Sequence, residues 1–504
     1  MSDPSADGSA QQARGAIVNL FTLVAQAAMP AFHVQLALLL GQASYGLYVW
    51  ANIIVDFSSA VTLFGMDIAV SREVALARDA GDDARSARAV GTALRLVLLT
   101  GVALALILGF GGHAIAERAS MPGVEAPLRV LSLVPIAYHA TTILLIATQS
   151  RGVMKYDFWT RGLLQPLSLL VATTVLVRLG FGVVGAAAGV LFAMALTTAF
   201  ALFCYRRLFS LGDTLGAVFS GPMDSAVLRA GIPMTAIGLL WSLQGRLDNT
   251  VLGATRGAAA TGAYGACMLY AITIGQMRGV FIPGLHAALP ALLVRGDRDG
   301  MNALLQRTQR WVVLLAAPLL VLFAVFGREL LIIFGRSFAD AAPALGLLAL
   351  AQLFGAMSLP AQTIVLGSRR GASIVAAGVS LGLQLLLLGP MCSRYGLVGA
   401  AATSAAGMLL AQVVQQVWAY HLYGVHGFSW ALGRVFVACG IAAGAGRFML
   451  SWLPISEVPR FFVSVPVAAV VYLVALVALG LGPEERAWLD ALRARLPFGR
   501  RPEA

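Results

Sequence analysis

Charged residues are scarce in this chain of 504 residues. Asp, Glu, Lys and Arg together make up 12% of it, whereas 59% of its residues are hydrophobic and its mean hydropathy is +0.83. Soluble domains are about a quarter charged, so the composition excludes a soluble globular protein and predicts a polytopic membrane protein. Lysine is almost missing, since Lys155 is the one lysine among 35 basic residues. The net charge of +12 comes from arginines spread between apolar stretches, which indicates membrane topology and not nucleic-acid binding.

Cysteine is also rare, and no pair of cysteines has CxxC spacing. This argues against a disulfide framework and against a zinc site. No glycine-rich phosphate-binding motif precedes a lysine, which argues against an ATPase. We therefore expect no catalytic residues, no metal and no cofactor. The four cysteines lie in or beside apolar stretches and are interpreted as small buried hydrophobic side chains: Cys204, Cys267, Cys392 and Cys439.

Long apolar stretches are abundant instead. Fourteen of them approach the roughly 20 residues that a membrane-spanning helix needs, and no soluble domain fits between any two. The first stretch is not followed by a cleavage site, which favours an uncleaved first span. The sequence predicts an all-α polytopic protein of about 14 transmembrane helices. Its predicted parts are a cytoplasmic tail (1–16), an N-lobe of six helices (17–210), a cytoplasmic linker (211–230), a C-lobe of six helices (231–424), two further helices (425–482) and a basic amphipathic cytoplasmic tail (483–504).

The basic residues are distributed unequally between the two sides of these spans. If the N-terminus is cytoplasmic, 23 of the 35 lie in cytoplasmic segments, eight on the opposite side and four within spans. The positive-inside rule then predicts that both termini are cytoplasmic. In the tail, Trp488, Leu489, Leu492 and Leu496 share one helical face beside several arginines. This pattern predicts a helix resting on anionic membrane lipids.

An internal repeat is visible in the two halves. Tyr45-Gly46 recurs as Tyr264-Gly265 at an offset of 219, and GVVGAAA from Gly182 recurs as GLVGAAA from Gly396 at an offset of 214. Six spans return the chain to its starting side, so the two predicted six-helix lobes have the same orientation. Repeats of this kind are typical of transporters with a site between the halves.

Ionisable residues inside the predicted spans are the candidate site residues. The stretch Gly231–Ala254 carries Arg246, Asp248 and Asn249 in its middle. An Arg or Asp at a span centre costs about 2.5–3.5 kcal/mol, so such groups usually face a cavity or a partner. We predict a substrate cavity formed by Arg246, Asp248, Asn249, Arg278 and Asp56. A structural ion pair of Arg246 or Arg278 with Asp56 or Asp248 is the alternative. Arg246 and Asp248 lie on nearly opposite helix faces.

Five further residues are gating or coupling candidates. Asp67, Arg72 and Glu73 follow the second predicted span, where contacts that fix topology are the alternative. Arg95 lies near the end of its span and can snorkel to the surface. Pro283 follows Arg278 closely and predicts a bend in that helix. His33 and His139 are interpreted as core histidines.

Several motifs resemble those of a known family. Leu38–Ala75, with Tyr45-Gly-Leu-Tyr48 and Gly65-Met-Asp67 before Arg72-Glu73, resembles the opening of the oligosaccharide-lipid flippases. The stretch from Gly231-Ile-Pro to Gly253, followed by Gly262-Ala-Tyr264 and Pro283, resembles the start of their second half. The resemblance covers the whole chain in order. It implies the multidrug/oligosaccharide-lipid/polysaccharide (MOP) exporter superfamily, and within it the Wzx-type flippases.

The resemblance implies a function, a location and partners. The implied function is flipping of a polyprenyl-diphosphate-linked oligosaccharide across the bacterial inner membrane, for surface or exopolysaccharide synthesis, by alternating access of a cationic central cavity. The implied partners are that lipid and the polysaccharide polymerase and export machinery, with a monomeric chain and no nucleic acid. The alternatives are a lipid II flippase, a MATE-type cation-coupled exporter and a polytopic glycosyltransferase or polymerase. The first predicted span lacks the clustered arginines and the carboxylate typical of the first two, and the short outer loops disfavour the third.

Overall fold

Helices make up nearly all of the computed structural model, which describes residues 4–63, 65–368, 370–454 and 457–480. No strand occurs in that part of the chain, as predicted, because a helix satisfies its backbone polar groups within one span. Short π-helical segments cover Phe158–Leu164 and Val177–Phe181, and short 3-10 segments cover Met277–Val280 and Arg336–Ala341. The α-helices are α1 (Pro4–Leu63), α2 (Met66–Ala80), α3 (Asp83–Arg118), α4 (Glu125–Leu131), α5 (Val134–Ser150), α6 (Lys155–Asp157), α7 (Gln165–Leu176), α8 (Gly182–Tyr205), α9 (Leu211–Phe219), α10 (Ser225–Arg256), α11 (Ala258–Gln276), α12 (Ile282–Arg295), α13 (Arg298–Val325), α14 (Gly327–Ile332), α15 (Ala342–Ser368), α16 (Arg370–Tyr423), α17 (Trp430–Trp452) and α18 (Glu457–Ala478).

Many of the helices have the length that membrane crossing requires. Ten helical stretches among the described residues are long and apolar enough to span, and Lys155–Tyr205 and Val375–Tyr423 are about twice the necessary length. The count of about fourteen spans stays a prediction. One of the fourteen apolar stretches, Leu47–Val70, is predicted from the sequence as a single span. It is interrupted, since α1 ends at Leu63 and α2 begins at Met66 after Gly65 in a left-handed conformation (φ 62°, ψ 17°).

Contacts divide the chain into two compact units. Unit 1 comprises Met1–Ala266, Ile333–Ser337 and Leu385–Ala400, and unit 2 comprises Cys267–Ile332, Phe338–Gln384 and Ala401–Ala504. The predicted lobe boundary at 211–230 stays a prediction, and the predicted amphipathic tail at 483–504 lies outside the described residues.

The repeat seen in the sequence has a counterpart in the backbone. Gly182, at the start of α8, has φ 52° and ψ −133°. Gly396, which divides α16, has φ 58° and ψ −130°. This region of backbone space is essentially restricted to glycine. The two GxVGAAA motifs therefore mark the same joint between two helices in each half.

A second repeated joint was missed in the sequence. Gly81 ends α2 and Gly296 ends α12, both left-handed, with φ of 69° and 62°. The aspartate after each glycine caps the next helix: Asp82 accepts from the backbone N–H of Arg85, and Asp297 from that of Gly300. The shared Gly-Asp dipeptide, at an offset of 215, is the signal that could have revealed it.

Unit 1 is held together by close helix contacts at both of its ends. At one end, a methyl group on Gly46 would lie 1.7 Å from the carbonyl oxygen of Ala258, so α1 and α11 meet backbone to backbone. At the other end, Arg151 contacts Asp83 and donates to the carbonyl of Leu208 at 3.0 Å. Three connections that the charge bias predicts to be cytoplasmic therefore meet at one end of the unit. A buried apolar cluster of α2, α3, α5 and α8, including Val70, Val90, Leu144 and Tyr205, lies near that end.

Unit 2 has its own core. Leu289 of α12, Leu305 of α13, Ile364 of α15 and Ala419 of α16 belong to one buried apolar cluster. Helix α13 also packs against α17, and α17 packs against α18. Such alternating contacts between sequential helices are typical of a bundle with short connections.

Candidate functional site

A polar face interrupts α1 in unit 1. Asn52 and Asp56 are four residues apart and therefore lie on the same side of the helix. The Nδ2 of Asn52 donates to Oδ2 of Asp56 at 3.0 Å, and the Ser59 hydroxyl donates to the Asp56 carbonyl at 2.9 Å. Asp56 is thereby oriented by its own helix.

The partner of Asp56 is Arg246 of α10. Nη1 of Arg246 donates to Oδ2 of Asp56 at 2.8 Å, and both side chains are 38% exposed. The structure thus shows the ion pair that was the alternative reading of Arg246. Because the pair is only half-buried, its charges remain accessible from the space in front of it.

That space is a cavity of about 310 Å³ within unit 1. Side chains from α1, α5, α7, α8 and α10 line it, and two of its polar members, Asn52 and Ser59, contact Asp56. Among the described residues that line it, Arg246 is balanced by Asp56, so the expected surplus of positive charge is not found in this cavity. Its lining is Met29, Phe32, His33, Tyr48, Asn52, Val55, Asp56, Ser59, Val134, Pro135, Tyr138, Gln165, Leu169, Val190, Met194 and Arg246.

An aromatic cluster supports the cavity wall. The ring of His33 packs edge-on against Phe32, and its Nδ1 lies 3.1 Å from the hydroxyl of buried Tyr45. Nearby, the Gln35 amide donates to the carbonyl of Leu170 at 3.0 Å and contacts Thr174. These contacts fix the first part of α1 against α7.

Asp248 lies outside this lining although it is two residues from Arg246. It is buried and accepts hydrogen bonds from the Tyr264 hydroxyl at 2.6 Å and from the backbone N–H of Asn249 at 2.7 Å. Asn249 is buried as well. The spacing of two residues explains the separation, because such residues point to nearly opposite sides of a helix. Asp248 therefore links α10 to α11 within unit 1.

Arg278 lies in unit 2, in the 3-10 segment Met277–Val280 that separates α11 from α12. Its side chain is exposed, and no residue in the described part of the chain forms an ion pair with it. Pro283 occupies the first turn of α12, where its missing N–H leaves no helical hydrogen bond unmade. The predicted bend is thus a break between two helices.

The remaining candidates lie away from the cavity. Glu73 is buried and accepts from Nη2 and Nε of Arg85 at 2.7 and 3.2 Å, so it fastens α2 to α3. Asp67 is half-buried in the first turn of α2, and Arg72 is exposed. Arg95 donates to the carbonyl of Gly221 at 2.9 Å and holds the segment after α9.

Sequence reasoning did not select several polar residues of this region, among them Asn52, Gln165 and Tyr264. Asn52 has a recoverable signal, because it lies four residues before Asp56 in an apolar helix. Gln165 of α7 lines the cavity, and Tyr264 binds Asp248, but both depend on how separate helices pack against each other. Tyr264 was noted only as part of the repeat.

Comparisons with known proteins agree with the fold. A family model described as polysaccharide biosynthesis protein matches residues 35–343. Lipid II flippase MurJ, in an inward closed conformation, is similar with a TM-score of 0.68 at 11% identity, covering 94% of this chain and 99% of that one. An inward-facing multidrug resistance MATE family transporter of the MOP superfamily has a TM-score of 0.63 at 17% identity, covering 79% and 94%. A MOP superfamily transporter from Pyrococcus furiosus has a TM-score of 0.52 at 16% identity, covering 80% and 94%. No curated protein sequence matches the chain significantly.

Proposed function

Since this chain belongs to the polysaccharide biosynthesis protein family and has the fold of MOP superfamily transporters, we propose that it flips a polyprenyl-diphosphate-linked oligosaccharide across the bacterial inner membrane. The observation that carries the proposal is the half-exposed Arg246 in a cavity inside an apolar helix bundle. A guanidinium group can bind two phosphate oxygens at once, which suits a diphosphate.

The ion pair gives this binding a defined mechanism. In the resting protein Asp56 holds Arg246, and the arriving diphosphate replaces the carboxylate at the guanidinium group. Asn52 keeps Asp56 oriented after the exchange, because its hydrogen bond to Asp56 comes from the same helix. Release of the headgroup on the other side then restores the Asp56–Arg246 pair. The cavity is electrically neutral when empty and anionic when loaded.

The cavity size limits what it holds. Its volume of about 310 Å³ is at the lower end of ordinary ligand pockets, which run from roughly 300 to 1,000 Å³. The cavity therefore accommodates the diphosphate and the sugar next to it, while the rest of the oligosaccharide extends beyond. The polyprenyl chain remains in the bilayer. Moving two negative charges outward gains about 4.6 kcal/mol per 100 mV of membrane potential, so the potential favours export.

An exporter of organic cations is the second candidate, and Asp56 is the observation that favours it. A carboxylate exposed to the cavity to the same extent as Arg246 can bind a cation in its place. The two functions make opposite demands: phosphate binding needs Arg246, whereas cation binding needs Asp56.

The test uses a strain that lacks the gene. We expect it to accumulate lipid-linked oligosaccharide that has not been polymerised, and wild-type protein to clear it. Arg246→Gln should restore little export, Arg246→Lys should restore part of it, and Arg178→Gln, an exposed arginine outside the cavity, should restore it fully. Membrane levels of each variant are measured alongside. Full export by Arg246→Gln at a normal protein level contradicts the proposal, and glycosidic-bond formation by the purified protein favours the enzyme alternative.

The proposed orientation places both termini in the cytoplasm. Reporter fusions after Arg207 and at the C-terminus should report the cytoplasm, and fusions near Arg336 and Arg460 should report the outer side. A C-terminus found outside contradicts both this orientation and the count of fourteen spans.

A further inference from the structure

Two arginines at the end of α8 share one aromatic ring. The apolar helix α8 ends at Tyr205, and Arg206 and Arg207 follow it directly. The guanidinium carbon of each lies 4.6 Å from the centroid of the Phe203 ring. Both side chains are exposed, and no carboxylate in the described part of the chain pairs with either. Cation–π contacts thus hold two like charges together that would otherwise repel each other.

The helix that follows this pair, α9, has large apolar side chains on its outward face as well as a buried face. Helix α9 buries Thr214, Ala217 and Val218, and Ala217 packs closely on Gly91 of α3. Its opposite face exposes Leu215 and Phe219, which are one helical turn apart and 44% and 69% exposed. Large apolar side chains facing outward on a connecting helix are typical of a helix lying at the membrane–water interface.

We propose that the Phe203–Arg206–Arg207 cluster is a binding site for the phosphate group of an anionic phospholipid, with the outer face of α9 seated among its acyl chains. The charge of the cluster is complementary to that phosphate, and each guanidinium group offers a fork of donors to its oxygens. In the described part of the chain, Asp213 forms an ion pair with neither arginine; it lies in the first turn of α9, where the helix dipole stabilises its carboxylate.

The location of the cluster favours a lipid over a free anion. Arg206 and Arg207 begin at the residue after an apolar helix, and the apolar face of α9 follows within a few residues along the chain. The lipid headgroup would therefore contact Arg206 and Arg207, and its acyl chains would contact the adjacent apolar face of α9. Since α9 belongs to the connection between the two repeats, the lipid would hold that connection against the membrane. This site is separate from the Arg246 cavity and does not depend on the proposed function.

The experiment measures binding of dioctanoyl phosphatidylglycerol to the purified full-length protein in a neutral detergent. Arg206→Gln with Arg207→Gln should weaken binding about thirtyfold, the loss expected for two basic residues near an anionic surface. Phe203→Leu keeps both charges but removes the ring, and should weaken binding severalfold. The matched control, Arg295→Gln with Arg298→Gln, removes the same charge from two exposed arginines that stack on no ring among the described residues, and should leave binding unchanged.

Two competitors identify the ligand. Excess inorganic phosphate should displace little of the lipid, and dioctanoyl phosphatidylcholine should bind weakly and respond little to the double substitution. Equal binding by wild type and the double variant overturns the site. Efficient displacement by inorganic phosphate overturns the lipid assignment in favour of a free-anion site, and equal loss of phosphatidylcholine binding overturns the requirement for an anionic headgroup. Monodisperse elution of every variant shows that the differences do not come from unfolding.

Discussion

Asp56→Asn is the substitution that best separates the two roles open to this carboxylate. The change removes the negative charge and leaves a side chain of similar shape, so that Asn52 and Arg246 retain a neighbour able to accept a hydrogen bond. If Asp56 competes with the diphosphate for Arg246, the variant should bind a diphosphate more tightly than wild type. It should also transport more slowly, because no carboxylate recovers Arg246 when the headgroup leaves.

The size of the effect follows from the geometry of the pair. Exposed ion pairs contribute about 0.2–1 kcal/mol, and breaking a buried pair costs about 3–5 kcal/mol. The Asp56–Arg246 contact of 2.8 Å is good, but both side chains are 38% exposed, so solvent screens it. We place the competition at about 1–2 kcal/mol, which corresponds to roughly five- to thirtyfold tighter binding.

The assay is equilibrium binding of farnesyl diphosphate to the purified protein, with farnesol as the uncharged comparison. Glu125→Gln is the matched control, because it also neutralises a carboxylate paired with an arginine, Arg129, and Glu125 does not line the cavity. Arg246→Gln should weaken binding and should abolish the gain when combined with Asp56→Asn. The reasoning is refuted if Asp56→Asn weakens binding as much as Arg246→Gln does, since Asp56 would then assist the substrate directly.

Three further predictions concern the other candidate residues. Asp248→Asn should impair transport at a normal membrane level, and unchanged export would exclude a role of this carboxylate in transport. Tyr264→Phe should lower the free energy of unfolding by about 1–3 kcal/mol, measured by thermal unfolding in detergent, because the buried carboxylate of Asp248 loses a donor. Unchanged stability would exclude a structural role of this hydrogen bond. Arg278 does not line the Arg246 cavity, so its part in transport is a separate prediction: Arg278→Lys should keep part of the export and Arg278→Ala little of it, with both proteins present at normal levels; normal export by the Ala variant would show that Arg278 takes no part in binding the headgroup. Arg85→Ala should destabilise the protein more than Glu73→Gln, since only the former leaves a buried charge unpaired; the reverse order in thermal unfolding would contradict a structural pair.

The fold was predictable because its signals are local. A run of apolar residues is sufficient to predict a helix in a membrane, and the all-helical architecture follows from many such runs. The exact ends of helices were less predictable. The break between Leu63 and Met66 depends on Gly65 adopting a left-handed conformation inside a largely apolar stretch. A single glycine in such a stretch is not enough to predict a helix break.

Two charged members of the site were predictable, but their pairing was not. Arg246 and Asp56 could be selected from the sequence, because charges within apolar helices are costly and rarely occur without a function. Their contact joins residues 190 positions apart, and no periodicity within either helix encodes it. The opposite directions of Arg246 and Asp248 were encoded, because helical geometry alone determines them. Tyr264 could not be assigned to Asp248 without knowing how α10 and α11 pack.

The paired glycine joints bear on how such a chain can change over time. If the two halves descend from one duplicated gene, single positions in each helix were free to change as long as the helix as a whole stayed apolar enough to span the membrane. Gly182 and Gly396 were not, because a side chain at their backbone angles is strained by roughly 1–3 kcal/mol. Side chains such as Asp56 and Arg246 could therefore arise in one position without a counterpart in the other half. The similarity that remains between the two halves is therefore concentrated at the glycines where the chain bends, while most residues between these glycines differ.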